Sequence, residues 1–467
     1  MTQAIIMDPQ QWAEAEFGAC ELGDRRRNER LIRYAVQAAA RPDEGTPDQV
    51  EGWAELKAVY RLFDADQVTF QRLLTPHTQS TRENCIAGEV KLIINDTTEF
   101  NFTSHRATTG LGEVGGSARQ RGFMVHSGLM LDATHETIDG LAGQELFYRP
   151  QNRKRSGASN SRRRDPKREW AVWGRLIDRI GPPPQGVKWL HVCDRAADDF
   201  EVMLRAIRQG CGFVIRASKL NRRVLTVKHQ PLQLDQLPQS WQVRGEKKLL
   251  VRTAAGKSRQ ASLEIRYGEV LLPLPRITNA WIREHAPPEP LRLRVVEVRE
   301  IKPPRNAKPL RWLLYTTEAI PDLDAALRII HYYELRWTIE DFHKCWKTGC
   351  GIESRRYATA ARLERVTAVT SILAVRLLRM RTAAKQTPAQ PARRIAPQRW
   401  IEMLIHIRRL RRTPREMTIR EFVHALAGLG GFLGRKHDGE PGWITLWRGY
   451  EKLQLLIRGA NAALNCG

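Results

Sequence analysis

The sequence predicts an α/β protein whose core is interrupted by a β-rich insertion and flanked by helical ends. Apolar residues recur at spacings of three and four near the start of the chain and again from Asp322 almost to its end. Between these parts, short apolar runs alternate with helical segments, and strand-like runs punctuated by prolines dominate residues 218–318. Because 467 residues suffice for roughly two to four domains, we expect three units, 1–75, 76–370 and 371–467.

The charge of the chain points to a polyanionic partner. Seventy-six Lys and Arg residues against 51 Asp and Glu residues leave a formal net charge of +25. A field of this sign attracts nucleic acid, and binding releases the counterions condensed on it. A generic basic surface, a ribosomal-type protein or a membrane-surface protein would carry a similar excess. The predominance of arginine, which pairs with phosphate through two hydrogen bonds, favours nucleic acid.

Several protein classes are disfavoured by what the sequence lacks. No apolar run reaches the roughly 18 residues that a membrane-spanning helix needs, so we expect no membrane association. The run from Met1 to Asp8 has no basic stretch followed by an apolar one, which predicts a cytoplasmic protein. The seven cysteines form no CxxC pair and the histidines show no HxxxH spacing, which argues against disulfides and structural zinc.

The N-terminal segment is predicted to be a small helical module. Asp24 can cap a helix whose apolar positions begin at Leu31, and a second helix is expected over residues 51–63. Three arginines follow Asp24 directly and give the first helix a basic face. Such a face is common in DNA-reading modules, although a solvated helix face would look the same.

Strands and helices alternate from residue 88 onward. Residues 151–168 interrupt them with many Arg, Lys, Ser, Gly and Asn residues, which bury too little apolar surface to order themselves. This segment is either a flexible loop that grips phosphates or a plain basic linker. The expected elements on its two sides are strands over 90–95, 124–131, 137–147, 187–192 and 211–217, and helices over 169–180 and 196–209.

Two aspartates stand at or just past the ends of predicted buried strands. Asp96 follows the apolar run 92–95, and Asp194 follows the run 189–193. Strand ends are where open α/β sheets place functional sites. An aspartate there also serves as a helix cap or a loop anchor, so neither residue identifies a site on its own.

A third candidate group lies in the helical segment 332–347. At about 100° per residue, Tyr333, Arg336, Glu340 and Lys347 fall within an arc of about 60°. The same helix also carries apolar residues, namely Leu335, Trp337, Ile339, Phe342 and Trp346. A buried ion-pair stripe, with Arg336 and Glu340 four residues apart, would give the same pattern. The adjacent acidic residue at position 341 falls off this stripe, which makes Glu340 the better ligand candidate.

Asp96, Asp194 and Glu340 together suit the hydrolysis of phosphodiesters. Two Mg²⁺ or Mn²⁺ ions roughly 3.5–4 Å apart stabilise both the attacking and the departing oxygen of an in-line displacement. Hard cations of this kind prefer oxygen ligands, which three carboxylates supply. Tyr, Arg and Lys side chains beside them would hold phosphates through charged hydrogen bonds.

These residues carry a resemblance to the DDE transposases of the insertion-sequence-4 family. The family signature Tyr-x2-Arg-x3-Glu-x6-Lys is matched from Tyr333 to Lys347, and its aspartate motifs resemble the residues around Asp96 and Asp194. Further similarity covers nearly the whole chain. It includes Leu22-Gly23-Asp24 followed by arginines, Arg121-Gly122 with Val125-His126-Ser127, Trp346-Lys347-Thr348-Gly349 and Leu429-Gly430-Gly431-Phe432.

The resemblance implies an RNase H-like catalytic domain at 76–370, with the β-rich insertion at about 218–318. It also implies an N-terminal domain at 1–75 that binds DNA ends and a C-terminal dimerisation domain at 371–467. Asp96, Asp194 and Glu340 would bind two divalent metal ions. Members of the family cut at the transposon ends, form a DNA hairpin, reopen it and join the 3′-OH to target DNA.

Further residues are assigned by the same resemblance. Trp312 lies where the family has a tryptophan that stacks on an extruded base, although a core tryptophan at a strand end would look alike. Arg216 and Lys219 resemble residues that grip DNA, with one extra residue between them here. Three arginines of the first basic helix fall where the family contacts the transposon end, namely Arg26, Arg27 and Arg30.

The expected partners are double-stranded DNA and a second copy of the chain. The last helix carries a stripe from Trp443 to Ile457 that would form either the dimer contact or core packing within one protomer. The glycines at 428–434 lack the strand and Lys-Ser/Thr of a phosphate-binding loop, so we expect no nucleotide cofactor. A regulator that binds DNA ends without cutting them is the alternative function.

Overall fold

The computed structural model describes residues 8–116, 119–149, 169–252, 258–304, 309–435 and 438–465. The basic segment 151–168, interpreted above as a phosphate-gripping loop or a linker, lies outside the described residues.

Five helices form the N-terminal part, and two of them are the helices that the apolar periodicity predicts. The side chain of Asp24 accepts a hydrogen bond from the backbone N–H of Arg26 and caps the second helix, which confirms the predicted helix start. Tyr34 packs edge-on against Phe63 with ring centroids 5.3 Å apart, so the second and fourth helices share one core. The helices are α1 Pro9–Phe17, α2 Arg25–Ala40, α3 Thr46–Gln49, α4 Gly52–Asp64 and α5 Phe70–Glu83.

A mixed sheet follows, with helices against it. Its strands carry continuous apolar runs, because both faces are covered. The elements are β1 Val90–Asn101, β2 Gly112–Glu113, β3 Arg121–Asp132, β4 Ile138–Phe147, α6 Val172–Ile180, β5 Lys188–Cys193, α7 Phe200–Arg208 and β6 Gly212–Arg216.

The order of these strands defines the fold class. β1, β3 and β4 form an antiparallel meander, and β5 and β6 pair in parallel on the other side of β1. The spatial order β4-β3-β1-β5-β6 is that of an RNase H-like core, which confirms the predicted fold class. The connection from β4 through α6 to β5 is the crossover that a parallel pairing of β1 and β5 requires.

The β-rich insertion extends the same sheet. β12 pairs with the edge strand β6, so the core and the insertion form one sheet of twelve described strands, in which β9 branches from β10. Each long strand of the insertion is antiparallel to its neighbour. The elements are β7 Arg223–Leu225, β8 Pro231–Gln233, β9 Gly245–Arg252, β10 Ser258–Leu272, α8 Ala280–His285, β11 Leu291–Ile301 and β12 Arg311–Thr316.

Helices complete the chain. Asp322 caps α9 through the backbone N–H of Ala325, where the periodicity predicts the return to helix. The long α11 packs against both the N-terminal helices and the last helix. The elements are α9 Leu323–Glu334, α10 Thr338–Lys344, α11 Ala360–Gln386, α12 Gln398–Arg408, α13 Ile419–Leu429 and α14 Trp443–Asn465.

The apolar stripe of α14 packs inside the protomer. Its six residues are all at least nine-tenths buried against the neighbouring helices, and the hydroxyl of Tyr450 donates to the backbone carbonyl of Ala39 on α2. The interpretation of this stripe as a dimer contact is therefore wrong, and the alternative of intramolecular core packing is correct. The exposed apolar residues of α14 lie elsewhere on the helix, at Ile444, Leu455 and Leu456.

None of the helices in the described ranges combines the length and the apolar character that crossing a membrane would take.

Candidate active site

Asp96 and Asp194 come from adjacent parallel strands. β1 pairs in register with β5 from Val90 opposite Lys188 to Asn95 opposite Cys193, so each aspartate is the next residue after the last parallel pair. Neighbouring strands lie roughly 4.8 Å apart, which brings the two carboxyl groups to one position on the sheet. The side chain of Asp194 also accepts a hydrogen bond from the N–H of Ala196, 2.8 Å away, and caps a short 3₁₀ turn.

Asp96 lies inside its strand rather than at the end of it. β1 continues to Asn101 because it pairs with β3 over its whole length, whereas β5 stops opposite Asn95. The predicted strand end at residue 95 is therefore wrong for β1. Residue 95 is nevertheless the last residue of β1 that pairs with the parallel strand β5. Asp96 therefore lies where the pairing of β1 with β5 ends.

The carboxyl group of Asp96 lies in a repulsive environment. Burial and the neighbouring carboxylate of Asp194 raise the pKa of Asp96 to about 6, and Glu340 acts in the same direction. The N–H of Thr97, which donates to Asp96 at 2.8 Å, and the guanidinium of Arg336 oppose this rise. Both Asp194 and Glu340 therefore disfavour the charged form of Asp96, and a bound cation would relieve this repulsion.

Glu340 belongs to a helical segment that is not one regular helix. α9 ends at Glu334, a 3₁₀ turn covers Leu335–Trp337, α10 begins at Thr338, and a π turn covers Cys345–Gly349. The single α-helix predicted over 332–347 is therefore wrong, and so is the uniform spacing of 100° per residue.

Arg336 connects the carboxylates of the site. Its guanidinium donates to Glu340 at 2.8 Å and lies 3.9 Å from the carboxylate of Asp96. The Arg336 side chain is buried, whereas the Glu340 side chain is 45 % exposed. The neighbouring Asp341 pairs instead with Arg381 on α11 at 2.6 Å. The structure thus turns Glu340 toward Asp96 and Asp341 away from it.

Tyr333, Trp312 and Arg216 form a buried group beside the carboxylates. The rings of Trp312 and Tyr333 meet edge to face with centroids 5.2 Å apart, and the guanidinium of Arg216 lies 6.0 Å from the Trp312 ring. Burial lowers the pKa of Arg216 below its usual range. Trp312 is only 7 % exposed, so most of its ring is covered in this arrangement.

Lys347 and Lys219 each donate to a backbone carbonyl near one of the two aspartates. Lys347 donates to the backbone carbonyl of Glu99 on β1 and lies 3.8 Å from Glu353. Lys219 donates to the backbone carbonyl of Asp198 at 2.8 Å, in the loop that follows Asp194. It also lines a cavity of about 660 Å³ together with Arg222, Arg223 and Arg276.

The predicted end-binding arginines are not equivalent. Arg26 and Arg30 are exposed on α2 and line a groove between α2 and α4. Arg27 is half-buried and donates to the backbone carbonyl of Leu22 at 2.8 Å, so it also holds the turn that precedes α2.

The sequence interpretation missed three features of the site. Trp337 is an apolar residue of the same helical segment, yet it is 60 % exposed and its ring lies 4.9 Å from the Arg336 guanidinium. The buried Asp198 accepts hydrogen bonds from the N–H groups of Ser218 and Lys219 and anchors the loop after β6. No spacing pattern marks these two residues.

The third missed feature is a polar layer behind Asp96. Asn95 contacts the ring of His191 at 3.1 Å, and the Thr97 hydroxyl contacts the ring of His126 at 2.8 Å. Both histidines are fully buried, and burial lowers their pKa values to about 4 and about 3 respectively, so both are neutral near pH 7. The polar residues on either side of Asp96, which follow the apolar residues 92–94, could have signalled this layer.

The donor chemistry of the three carboxylates fits a hard divalent cation. Within the ranges that the structure describes, no three carboxylate, imidazole or thiol side chains stand close enough together to enclose a metal ion. Glu340 does not join the two aspartates in this structure because its carboxylate is hydrogen-bonded to Arg336. Glu340 would have to leave this partner in order to join Asp96 and Asp194 around a cation.

Comparison with known proteins assigns the chain. Residues 9–68 match the family described as Transposase DNA-binding, and residues 172–375 match Transposase DDE domain. Residues 372–466 match Transposase Tn5 dimerisation domain. The DDE match contains Asp194 and Glu340 and begins after Asp96. Among solved structures, the piggyBac transposase synaptic complex with hairpin DNA is 10 % identical, with a TM-score of 0.35, and the match covers 80 % of this chain and 72 % of that one.

The three family matches, in this order and around an RNase H-like sheet, define an enzyme of the DDE transposase class. The chain belongs to the insertion-sequence-4 family of these enzymes, in its Tn5-like branch. It therefore acts on DNA, and transposase DDE domains generally use divalent metal ions.

Asp96 should make the metal-free protein less stable as the pH rises. Because its folded pKa of about 6 exceeds the ordinary value of 3.8, the folded state binds the proton more tightly. This contribution is fully present below about pH 4 and is lost as the pH rises through about 6. The difference of about two units corresponds to roughly 3 kcal/mol.

Thermal and urea unfolding of the wild type and Asp96→Asn in EDTA, from pH 4 to 7, measure this effect. The two proteins should be equally stable near pH 4, and the wild type should be the less stable near pH 7. Added Mg²⁺ should raise the stability of the wild type at pH 7 more than that of the variant. A difference of the opposite sign would contradict the raised pKa.

Proposed function

We propose that the chain is an active cut-and-paste transposase that cleaves and joins DNA at Asp96, Asp194 and Glu340. The observation that supports this most directly is the position of Asp96, whose pKa is raised to about 6 by burial and by the neighbouring carboxylate of Asp194. Such an arrangement weakens the folded protein unless a cation relieves it, and functional sites retain costs of this kind. Two Mg²⁺ or Mn²⁺ ions held there would activate water and stabilise the departing oxygen.

The residues around the carboxylates would position the DNA strand. Arg336 would exchange Glu340 for a phosphate oxygen, since a guanidinium binds phosphate through two hydrogen bonds. Tyr333 and Lys347 would contact neighbouring phosphates, in line with the family signature. On the other side, Arg216 and Lys219 would hold the strand near the loop after β6.

The proposed reaction passes through a DNA hairpin. Water first frees a 3′-OH at the transposon end. This hydroxyl attacks a phosphodiester of the opposite strand, and the flanking DNA leaves with a 3′-OH of its own. Reopening of the hairpin leaves a 3′-OH that attacks target DNA. Distortion of the duplex in the hairpin is relieved by extruding a base, for which Trp312 would provide the stacking surface. Since Trp312 is 7 % exposed here, DNA binding would have to uncover its ring.

The proposed assembly is a homodimer on two transposon ends, with bacterial nucleoid DNA as the place of action. The match of residues 372–466 to a dimerisation family supports it. The proposed division of labour gives residues 1–75 end binding, 76–370 catalysis and 371–467 dimerisation.

Incubation with a supercoiled plasmid that carries the terminal inverted repeats flanking the gene tests this proposal. With Mg²⁺, the expected products are an excised fragment and a hairpin that migrates as a linked species on denaturing gels. Ordinary end binding without any cleavage would instead favour the catalytically silent, end-binding regulator.

Replacing the exposed arginines of α2 should weaken end recognition. Arg26→Ala/Arg30→Ala should lower affinity for an end duplex at least about tenfold and reduce its salt dependence by about two counterions, because two phosphate contacts are lost. Arg61→Ala, which removes one exposed arginine from α4, is the control for the loss of a single charge and should change the affinity much less. Unchanged binding by the double variant, measured by fluorescence anisotropy, would contradict the assignment of α2.

A further inference from the structure

A concentrated positive surface lies in the C-terminal helices, away from the arginines discussed so far. Five of the eight residues from 408 to 415 are arginine, and none of the eight is acidic. All five of these side chains are exposed. No lysine occurs between 386 and 435, so the surface consists of the residue that pairs best with phosphate.

The arginine-rich segment contains the turn that ends α12. Arg409 adopts a left-handed backbone conformation with φ 50° and ends the helix, and the N–H of Leu410 donates to the carbonyl of Ile405. A non-glycine residue rarely takes this conformation, so the turn is held in place by its surroundings. Arg412, three residues beyond Arg409, reaches Glu421 on α13 at 2.9 Å.

The result is a groove of about 570 Å³ with a basic wall. Its lining includes Arg408, Arg411 and Arg412 together with the apolar Phe432 and Leu433. The Arg408 guanidinium packs on the backbone of α13 at Gly428, where an added Cβ would lie 2.7 Å from it. The glycine thus allows a cation to lie directly against the helix.

Little of this charge is neutralised within the protein. Glu421 also lines the groove, but its carboxylate already accepts from Arg412 at 2.9 Å and from the backbone N–H of Thr418. Among the described residues, neither Arg408 nor Arg411 has an acidic partner within 4 Å. Two uncompensated guanidinium groups therefore face the groove together with one paired group.

We propose that this groove binds the phosphate backbone of duplex DNA outside the transposon end recognised by α2. The chain acts on DNA, and arginine-rich surfaces with uncompensated charge bind phosphates without regard to sequence. The groove would add a DNA contact made by the C-terminal domain itself, beside those of α2 and the active site. This inference rests on the proposed function in one respect, namely that α2 recognises the transposon end.

The test compares Arg411→Ala/Arg412→Ala with Arg208→Ala/Arg283→Ala in the full-length protein. The control removes two exposed arginines from α7 and α8, so both variants lose the same charge. Affinity for a duplex without end sequences is measured by fluorescence anisotropy over a range of salt concentrations. A third variant, Arg411→Lys/Arg412→Lys, retains the charge but loses the paired hydrogen bonds.

We expect the alanine variant of the groove to bind the generic duplex roughly tenfold more weakly, with a salt slope shallower by about two. The lysine variant should keep the wild-type slope with a smaller loss of affinity. For an end duplex, the variant should retain its preference over the generic one, since α2 is intact.

Equal losses in the groove variant and the control would overturn the proposal, because they would reflect overall charge alone. The alanine variant could instead keep the wild-type salt slope for duplex binding and lose binding of a polyglutamate peptide. That result would overturn the proposal and assign the groove to an acidic protein segment. Unaltered thermal unfolding of the lysine variant checks folding. All these measurements are made without cleavage, so a failure of the proposed catalysis would not change their outcome.

Discussion

Glu340→Gln should abolish DNA cleavage while end binding stays within about twofold of the wild type. The substitution retains the size of the side chain and an acceptor for Arg336, but it removes the charge that a divalent cation needs. Loss of several kcal/mol of transition-state stabilisation corresponds to about a thousandfold or more in rate. Plasmid cleavage in Mg²⁺ and end binding in Ca²⁺ or EDTA measure the two effects separately.

The adjacent acidic residue provides the control for this prediction. Asp341 is as exposed as Glu340 to within a few per cent, but it pairs with Arg381 on α11. Asp341→Asn should therefore leave cleavage within a fewfold of the wild type. If Asp341→Asn were the more damaging change, the assignment of the third carboxylate would be wrong. Equal loss of cleavage and end binding in Glu340→Gln would mean that Glu340 is a structural residue.

Lys91→Met should lower the free energy of unfolding by about 3–5 kcal/mol, as expected when one member of a buried ionic cluster is removed. The ammonium group of Lys91 lies 3.0 Å from Glu89, 3.0 Å from Asp132 and 2.9 Å from Asp139, and its side chain is only 5 % exposed. Without it, these three carboxylates would repel one another in a partly desolvated position. Urea unfolding followed by circular dichroism gives the difference.

Lys188 on the neighbouring strand is the matched control. Its ammonium group pairs with Glu318 at 2.6 Å, but the Lys188 side chain is 52 % exposed. Exposed pairs contribute roughly 0–1 kcal/mol, so Lys188→Met should have a small effect. If the two variants lost similar amounts of unfolding free energy, burial would not determine how strongly these ion pairs stabilise the fold.

The strand pattern in the sequence was sufficient to bring two of the carboxylates together. Asp96 and Asp194 each follow an apolar run long enough for a buried strand, and the carboxyl ends of parallel strands lie at one edge. What the pattern missed is that β1 continues through Asp96. The extension depends on pairing with β3, which is a tertiary contact that residues 96–101 do not encode locally.

The irregular helix around Glu340 could not be predicted from periodicity. Its π turn ends with the N–H of Cys350 bonded to the carbonyl of Cys345, five residues earlier. Trp346 is fully buried there, with its ring 4.7 Å from Phe100 and its indole N–H donating to Thr370. The ring thus packs against the sheet and α11, and these tertiary contacts are absent from the local periodicity of the sequence.

The apolar stripe of α14 shows a second limit of prediction from periodicity. A row of apolar residues at helical spacing predicts that one face is buried, but it does not identify the surface that covers it. Here α11, α12 and α13 of the same chain cover it, together with α2 at Tyr450. The distinction depends on where distant helices pack, which the local sequence does not contain.

The unbroken sheet has a mechanical consequence for the insertion. β6, which follows Asp194 through α7, hydrogen-bonds directly to β12, and β12 bonds to β11. A domain joined by a flexible linker could rotate against the active site, whereas strands of one sheet can only twist together. DNA held by the insertion would therefore keep a fixed distance and orientation relative to Asp194. The insertion would set the position of the cleavage site and would not close over the DNA by a hinge motion.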